Sequence, residues 1–276
     1  MKKRIATAVV GLAILAVVLF LRDTYLVDVC ITLLNLLAVW EILRVTRYVT
    51  WGPHLAVCSL YTIGAPFVFQ GIIPVNMTAV TVLFGMVLFC LSLIRHKEVR
   101  PAQAAMAFAF TALLAYAFNT MTFLLHMEDG HGLFYFALAC NAAWITDAGA
   151  YFVGVFLGKH KMAPEISPKK TVEGAVGGIV VSFIAAVLIS LGYEAFFLKD
   201  DGSIAYLPVL IMTPLLSLAG MLGDLVASYI KRDCKLKDFG NLMPGHGGVM
   251  DRFDSFVVTA PLLYVGLQYF TLILKP

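Results

Sequence analysis

Nine stretches of this chain are each long and apolar enough to cross a lipid bilayer: roughly 4–21, 25–43, 53–70, 76–94, 103–125, 133–157, 174–193, 206–230 and 251–272. A spanning helix needs about 20 mostly apolar residues, because the hydrocarbon offers no water to the backbone. Nine such helices would take about 180 of the 276 residues and leave no room for a separate soluble domain. Composition agrees. Charged residues make up 13% of the chain, against about 25% in a soluble domain, too few to cover a water-facing surface. The expected fold is all-α, a polytopic transmembrane helical bundle of about nine spans, forming one integral membrane domain over residues 1–276.

Several classes drop out. The five cysteines are scattered at Cys30, Cys58, Cys90, Cys140 and Cys234 without a CxxC, so neither a zinc ribbon nor a disulfide framework is indicated. The formal net charge of +3 is too small to suggest a nucleic-acid partner. Lys2, Lys3 and Arg4 before an apolar run could open a secretory signal. That run ends at Leu21, Arg22 and Asp23 without a small-x-small cleavage site, so it reads as a first span. With the N-terminus in the cytoplasm and nine spans alternating, 17 of the 20 Lys and Arg residues fall on the cytoplasmic side and 3 outside. Chemistry on an anionic substrate is therefore expected at the cytoplasmic face.

The two halves differ. Residues 1–125 are nearly featureless apolar helices and read as scaffold. Residues 140–270 hold nearly all the misplaced polar groups and read as the catalytic half. An ionisable residue within a span costs about 2.5–3.5 kcal/mol on insertion scales and is a functional candidate. Asp147, Tyr151, Gly154 and Gly158 recur at helical spacing, with small residues that let a second helix or a ligand approach. Asp224, Ser228 and Lys231 fall on one stripe, Asp224 about 9 Å below the cytoplasmic end of its helix. Asp251 and Asp254 open the last span at i, i+3 and share a face. Asp254 could also simply favour the helix dipole there.

Two loops join these helices, and both suit phosphate. Ser167, Lys169, Lys170 and Thr171 lead into a helix, where hydroxyls, ammoniums and open N–H groups favour anions. The second runs from Lys231 and Arg232 through Lys237 to His246, Gly247 and Gly248, then to Asp251 and Arg252. Its glycines permit positive φ and close backbone approach. Cations, a glycine turn and then carboxylates suggest polyphosphate with a divalent metal. Mg²⁺ takes only one or two carboxylates and fills its shell with water and phosphate. His246 could be a base, a phosphate donor or a turn residue.

The stretch from Ser228 to Asp254, with Lys231, Arg232, Lys237, Asp238, Gly240, Pro244, His246, Gly247, Gly248, Asp251 and Arg252, resembles the signature of phosphatidate cytidylyltransferases, or CDP-diacylglycerol synthases. Ile166 to Gly174 is similar to that family's second block. Val172 stands where Trp is usual, and Met243 where Leu or Ile is usual. The resemblance covers roughly 140–270; the first half matches only in hydropathy. It implies a bacterial plasma-membrane enzyme that makes CDP-diacylglycerol and pyrophosphate from CTP and phosphatidic acid. It also implies Mg²⁺, held by Asp224 and Asp251 with Asp254 beside them. Lys170, Lys231 and Arg232 would then serve catalysis, and Ser167, Lys169, Thr171, Asp147, Ser228, Lys237, His246, Gly247, Gly248 and Arg252 would contact substrate. A second, monovalent cation is compatible with so acidic a site but not demanded. The oligomeric state is open, a homodimer among the options.

The competing class is a secondary transporter, since midspan Asp147 and Asp224 would suit ion coupling. Against it, the cationic loops gather at one face and no repeat pair is evident. A CDP-alcohol phosphotransferase would need a DGxxAR pattern, which is absent.

Overall fold

The computed structural model describes residues 16, 17, 19–22, 24–49, 51–198, 202–242 and 247–274. Most of the expected span 4–21 and His246 lie outside these residues. The chain divides into two compact units, one of Met1–Thr122 with Cys234–Arg252, the other of Phe123–Asp233 with Phe253–Pro276. The glycine-rich signature loop therefore groups with the helices of the first half.

The first unit is built on α1 (Tyr25–Val45), α2 (Gly52–Phe69), α3 (Met77–Ile94) and most of α4 (Pro101–Leu125). Local chemistry sets the starts. Thr24 and Asn76 cap α1 and α3 by accepting the amides of Leu26 and Thr78, and α2 and α4 carry a proline in the first turn. On α3, Leu83, Met86, Leu93 and Ile94 are all exposed. Such an apolar surface would aggregate in water and is matched by lipid.

The second unit contains α5 (Gly132–Cys140), a π turn (Asn141–Ile145), α6 (Thr146–Leu157), α7 (Val172–Tyr193), a second π turn (Glu194–Leu198), α8 (Tyr206–Asp233) and α10 (Phe256–Tyr269). The four-residue α9 (Met250–Phe253) lies where the chain passes from the first unit to the second. Two antiparallel ribbons complete the second unit: β1 (Lys161–Ala163) with β2 (Ser167–Thr171), and β3 (Ser203–Ile204) with β4 (Ile273–Leu274).

The chain is a mostly helical, polytopic membrane protein, with three departures from expectation. Among the described residues, six helices are continuous and apolar enough to cross a membrane. The expected span 133–157 is helical throughout but passes through the π turn at Asn141–Ile145, which rotates α6 relative to α5. The expected span 251–272 is broken at Asp254 and Ser255, leaving α10 with 14 residues, about 21 Å against a core of about 30 Å. Finally, the basic loop before α7 is a β-hairpin, so the fold is not purely α.

Of the small residues expected to admit another helix, Gly154 does so, and it meets Gly174 of α7, at the helix start that the sequence reading assigns to anion binding. A Cβ on Gly178 would lie 2.7 Å from the carbonyl oxygen of Thr146, and one on Gly174 would lie 3.1 Å from Gly154 Cα. Backbone of α6 thus meets backbone of α7, the packing that small residues allow between membrane helices. Gly178→Leu should separate the two helices and destabilise the protein by about 1–3 kcal/mol or more, read by thermal unfolding in detergent.

Candidate functional site

In the second unit, α6, α7, α8 and the turn before α10 gather a charged cluster. The β-hairpin alternates its side chains, so Lys169 is exposed while Lys170 turns inward. Lys170 Nζ lies 2.6 Å from Asp224 Oδ2 and also donates to the carbonyl of Met221 at 3.5 Å. Both members of the ion pair are about four-fifths covered. One turn along α8, Ser228 Oγ donates to Asp224 Oδ1 at 3.4 Å, as the stripe reading expects. Buried Lys231 follows on that stripe.

The turn before α10 supplies the rest. Ser255 Oγ donates to Asp147 Oδ2 at 2.9 Å, and Ser255 N–H donates to Asp254 Oδ1 at 2.8 Å. Asp254 is buried and interacts electrostatically with Asp224, Lys231 and Asp147. Gly223 is required here, since a Cβ on it would lie 2.8 Å from the carbonyl oxygen of Asp254. Three carboxylates and two ammoniums thus share one region, at the end of the unit where the hairpin and the α8 C-terminus lie.

The remaining residues of this unit shape the surroundings. Arg232 is exposed, and its Nε donates to the carbonyl of Ile166 at 3.2 Å, tying α8 to the hairpin. Thr171 is buried, and its hydroxyl accepts the amide of Gly174 as the N-cap of α7, a role the loop reading did not include. Ser167 is half-buried. Ser255, which sequence reasoning missed, links two of the three carboxylates. Ser255→Ala should leave Asp147 without that donor and destabilise the protein by about 1.5–3 kcal/mol, measured by unfolding in detergent.

In the first unit, Asp251 is buried, and its Oδ2 accepts the amides of Phe239 at 2.8 Å and Gly248 at 3.0 Å. One oxygen of the expected metal ligand therefore holds the signature loop. Gly247 adopts φ +86°, the positive φ anticipated for this turn. Lys237 and Arg252 are exposed. Glu41, on α1, accepts the amide of Met250 at 3.0 Å and is only 3% exposed. The signal was present in the sequence: Glu41 is one of two acids, with Asp28, in the apolar run 25–43, and it lies two residues before the end of that run.

Among the described residues, no three His, Cys, Asp or Glu side chains are placed to hold a metal by protein donors alone. The cluster still fits Mg²⁺. That ion typically takes one or two carboxylates, with substrate phosphate and water completing the octahedron. Asp224 and Asp254, close enough to feel each other's charge, are the pair that could hold it in this way.

Comparison with known proteins gives an independent view. The profile of one family, described as the Cytidylyltransferase family, matches residues 2–270. The chain is similar to a phosphatidate cytidylyltransferase of Bacillus subtilis (strain 168), 49% identical over 143 residues, 52% of this chain and 51% of the relative. It is also similar to phosphatidate cytidylyltransferases of Staphylococcus saprophyticus, at 44% over 55% of this chain and 56% of the relative, and of Staphylococcus haemolyticus, at 42% over 58% of each. The chain spans about half the length of the curated relatives it matches.

Proposed function

This chain belongs to the cytidylyltransferase family, and from that premise we propose that it transfers the cytidylyl group of CTP to phosphatidic acid. A phosphatidate oxygen forms a bond to the α-phosphorus of CTP, the bond from that phosphorus to the bridging oxygen breaks, and pyrophosphate leaves. CDP-diacylglycerol is the product. The observation that carries this reading is the cluster of Asp147, Asp224 and Asp254 with Lys170 and Lys231, gathered among apolar helices by the β-hairpin and the turn before α10. A lipid substrate explains a site among membrane helices, and two anionic substrates explain the cations around the carboxylates.

The nucleophile is already an anion at pH 7, so no strong base is needed; the barrier lies in charge repulsion and in the leaving group. Lys170, Lys231 and Arg232 meet both through fixed positive charge. Asp224, Asp251 and Asp254 would hold Mg²⁺, which when bound supplies Lewis-acid stabilisation of phosphoryl oxygens. Asp251 enters on the resemblance and on its place three residues before Asp254. Ser167, Lys169, Lys237, His246, Gly247, Gly248 and Arg252 are assigned to phosphate or nucleotide, while Asp147, Thr171 and Ser228 act by holding their neighbours. The proposed topology keeps nine crossings and a cytoplasmic N-terminus, placing the hairpin and the α8 C-terminus at the cytoplasmic face.

The test is purified protein in detergent with labelled CTP and phosphatidate. Magnesium-dependent release of pyrophosphate with formation of CDP-diacylglycerol is expected. Solute uptake by sealed vesicles without nucleotide turnover would overturn the reading in favour of a transporter.

A further inference from the structure

We infer that Glu41 is a positioning residue for the signature loop, an internal anchor that holds Gly240 on one side of it and Gly248–Met250 on the other. The inference rests on the cytidylyltransferase reading for its kinetic consequence, but its geometry stands within the first unit alone. A carboxylate buried among apolar helices is costly and persists only where it is partnered, and Glu41, near the end of α1, is buried. Here the partners are loop backbone. Glu41 Oε2 accepts the amide of Met250 at 3.0 Å, and the Val249 backbone also bonds to the carboxylate. A Cβ on Gly240 would lie 2.7 Å from the Glu41 carboxyl carbon, and one on Gly248 would lie 2.5 Å from it. The same Cβ on Gly240 would stand 3.1 Å from Gly248 Cα, so both ends of the loop close on Glu41.

This changes what the glycines mean. Close backbone approach is needed at Gly240 and Gly248, and the approaching group is the chain's own carboxylate. Asp251 completes the frame by accepting the amides of Phe239 and Gly248. Two carboxylates, one at the end of the loop and one on a helix about 200 residues earlier in the chain, thus take the amides of Phe239, Gly248, Val249 and Met250 between them. Glu41 touches no reacting atom in the proposed reaction. It fixes the loop that carries Gly247, Gly248 and Asp251, as an outer partner fixes a metal ligand.

The experiment compares Glu41→Gln, Glu41→Ala and Gly248→Ala in the full chain, in detergent. Glutamine keeps an acceptor oxygen of the same reach, and alanine keeps none. Glu41→Ala should lower kcat/KM by roughly 10–100-fold, the usual cost of losing an outer partner, with Glu41→Gln within a few-fold of wild type. Amide hydrogen exchange over 239–251 should rise in Glu41→Ala and not in Glu41→Gln. Gly248→Ala should be harmful alone and add little further loss in Glu41→Ala, because the clashing group has gone. Unchanged exchange in Glu41→Ala, or additive losses in the double variant, would overturn the anchor. If Glu41→Ala does not survive purification, Glu41→Asp replaces it, and relief of Gly248→Ala by the shorter acid is the expected result; no relief refutes the inference. A wild-type protein that turns over no CTP would sink the activity reading while leaving the exchange measurement to decide the anchor.

Discussion

Asp224→Asn is expected to abolish cytidylyl transfer while leaving the protein folded. The substitution is nearly isosteric, and the amide oxygen still accepts from Ser228, so packing along α8 is kept. Charge is what changes. Asparagine removes one of the carboxylates that would draw a divalent ion to the cluster and leaves Lys170 without its acidic partner there. Metal stabilisation of a phosphoryl transition state is worth several kcal/mol, and each 1.36 kcal/mol is tenfold in rate. The expected fall in turnover is on the order of 10³-fold, and excess Mg²⁺ should not restore it. Pyrophosphate release across a magnesium titration reads the effect, with thermal unfolding as the control for folding. Normal turnover by a folded Asp224→Asn protein refutes the metal assignment.

Why Asp224 could be singled out by spacing, and its pairing with Lys170 could not, is a matter of what periodicity carries. Helical spacing places Asp224, Ser228 and Lys231 on one stripe, and the structure has the Ser228 bond. Likewise Gly154 and Gly158 announce close approach, and at Gly154 α6 and α7 make it. The Lys170–Asp224 pair joins residues 54 apart, and no local pattern encodes which of two adjacent lysines faces inward. That follows from the β-hairpin, whose short strands lie in a run that reads only as a basic loop. The break before α10 was hidden for a related reason. Residues 251–272 are apolar enough to span, and the interruption comes from Asp251 and Asp254 taking backbone amides in place of helix continuation. Glu41 carries no local signal of its role, because an acid near the end of an apolar run resembles a topological accident until the loop packed on it is seen.

Replacing Lys170 with methionine should change two measurements in opposite directions. Its ammonium lies 2.6 Å from Asp224 Oδ2, on an oxygen that the proposed metal would use. Ammonium and divalent ion therefore compete for that oxygen, and removing the ammonium should tighten divalent binding to the substrate-free protein. A hydrogen bond between charged groups is worth about 1.5–3 kcal/mol, so the gain is roughly 10–100-fold in affinity. Catalysis should move the other way. Lys170 is also the nearest cation to Asp224, and when metal takes the carboxylate its charge becomes available to a phosphate. Without it kcat/KM for CTP should fall about 100-fold, the scale of one lost electrostatic contact to a developing charge. Mn²⁺ binding followed by electron paramagnetic resonance reads the first effect, and pyrophosphate release reads the second. Methionine keeps most of the volume and the unbranched stem, and besides the ion pair it gives up only the 3.5 Å hydrogen bond to the Met221 carbonyl. Lys170→Arg, which keeps the charge, should leave Mn²⁺ binding near wild type. Weaker or unchanged Mn²⁺ binding in Lys170→Met would mean that Asp224 is held by Lys170 for structure alone, and that the divalent ion is gripped elsewhere.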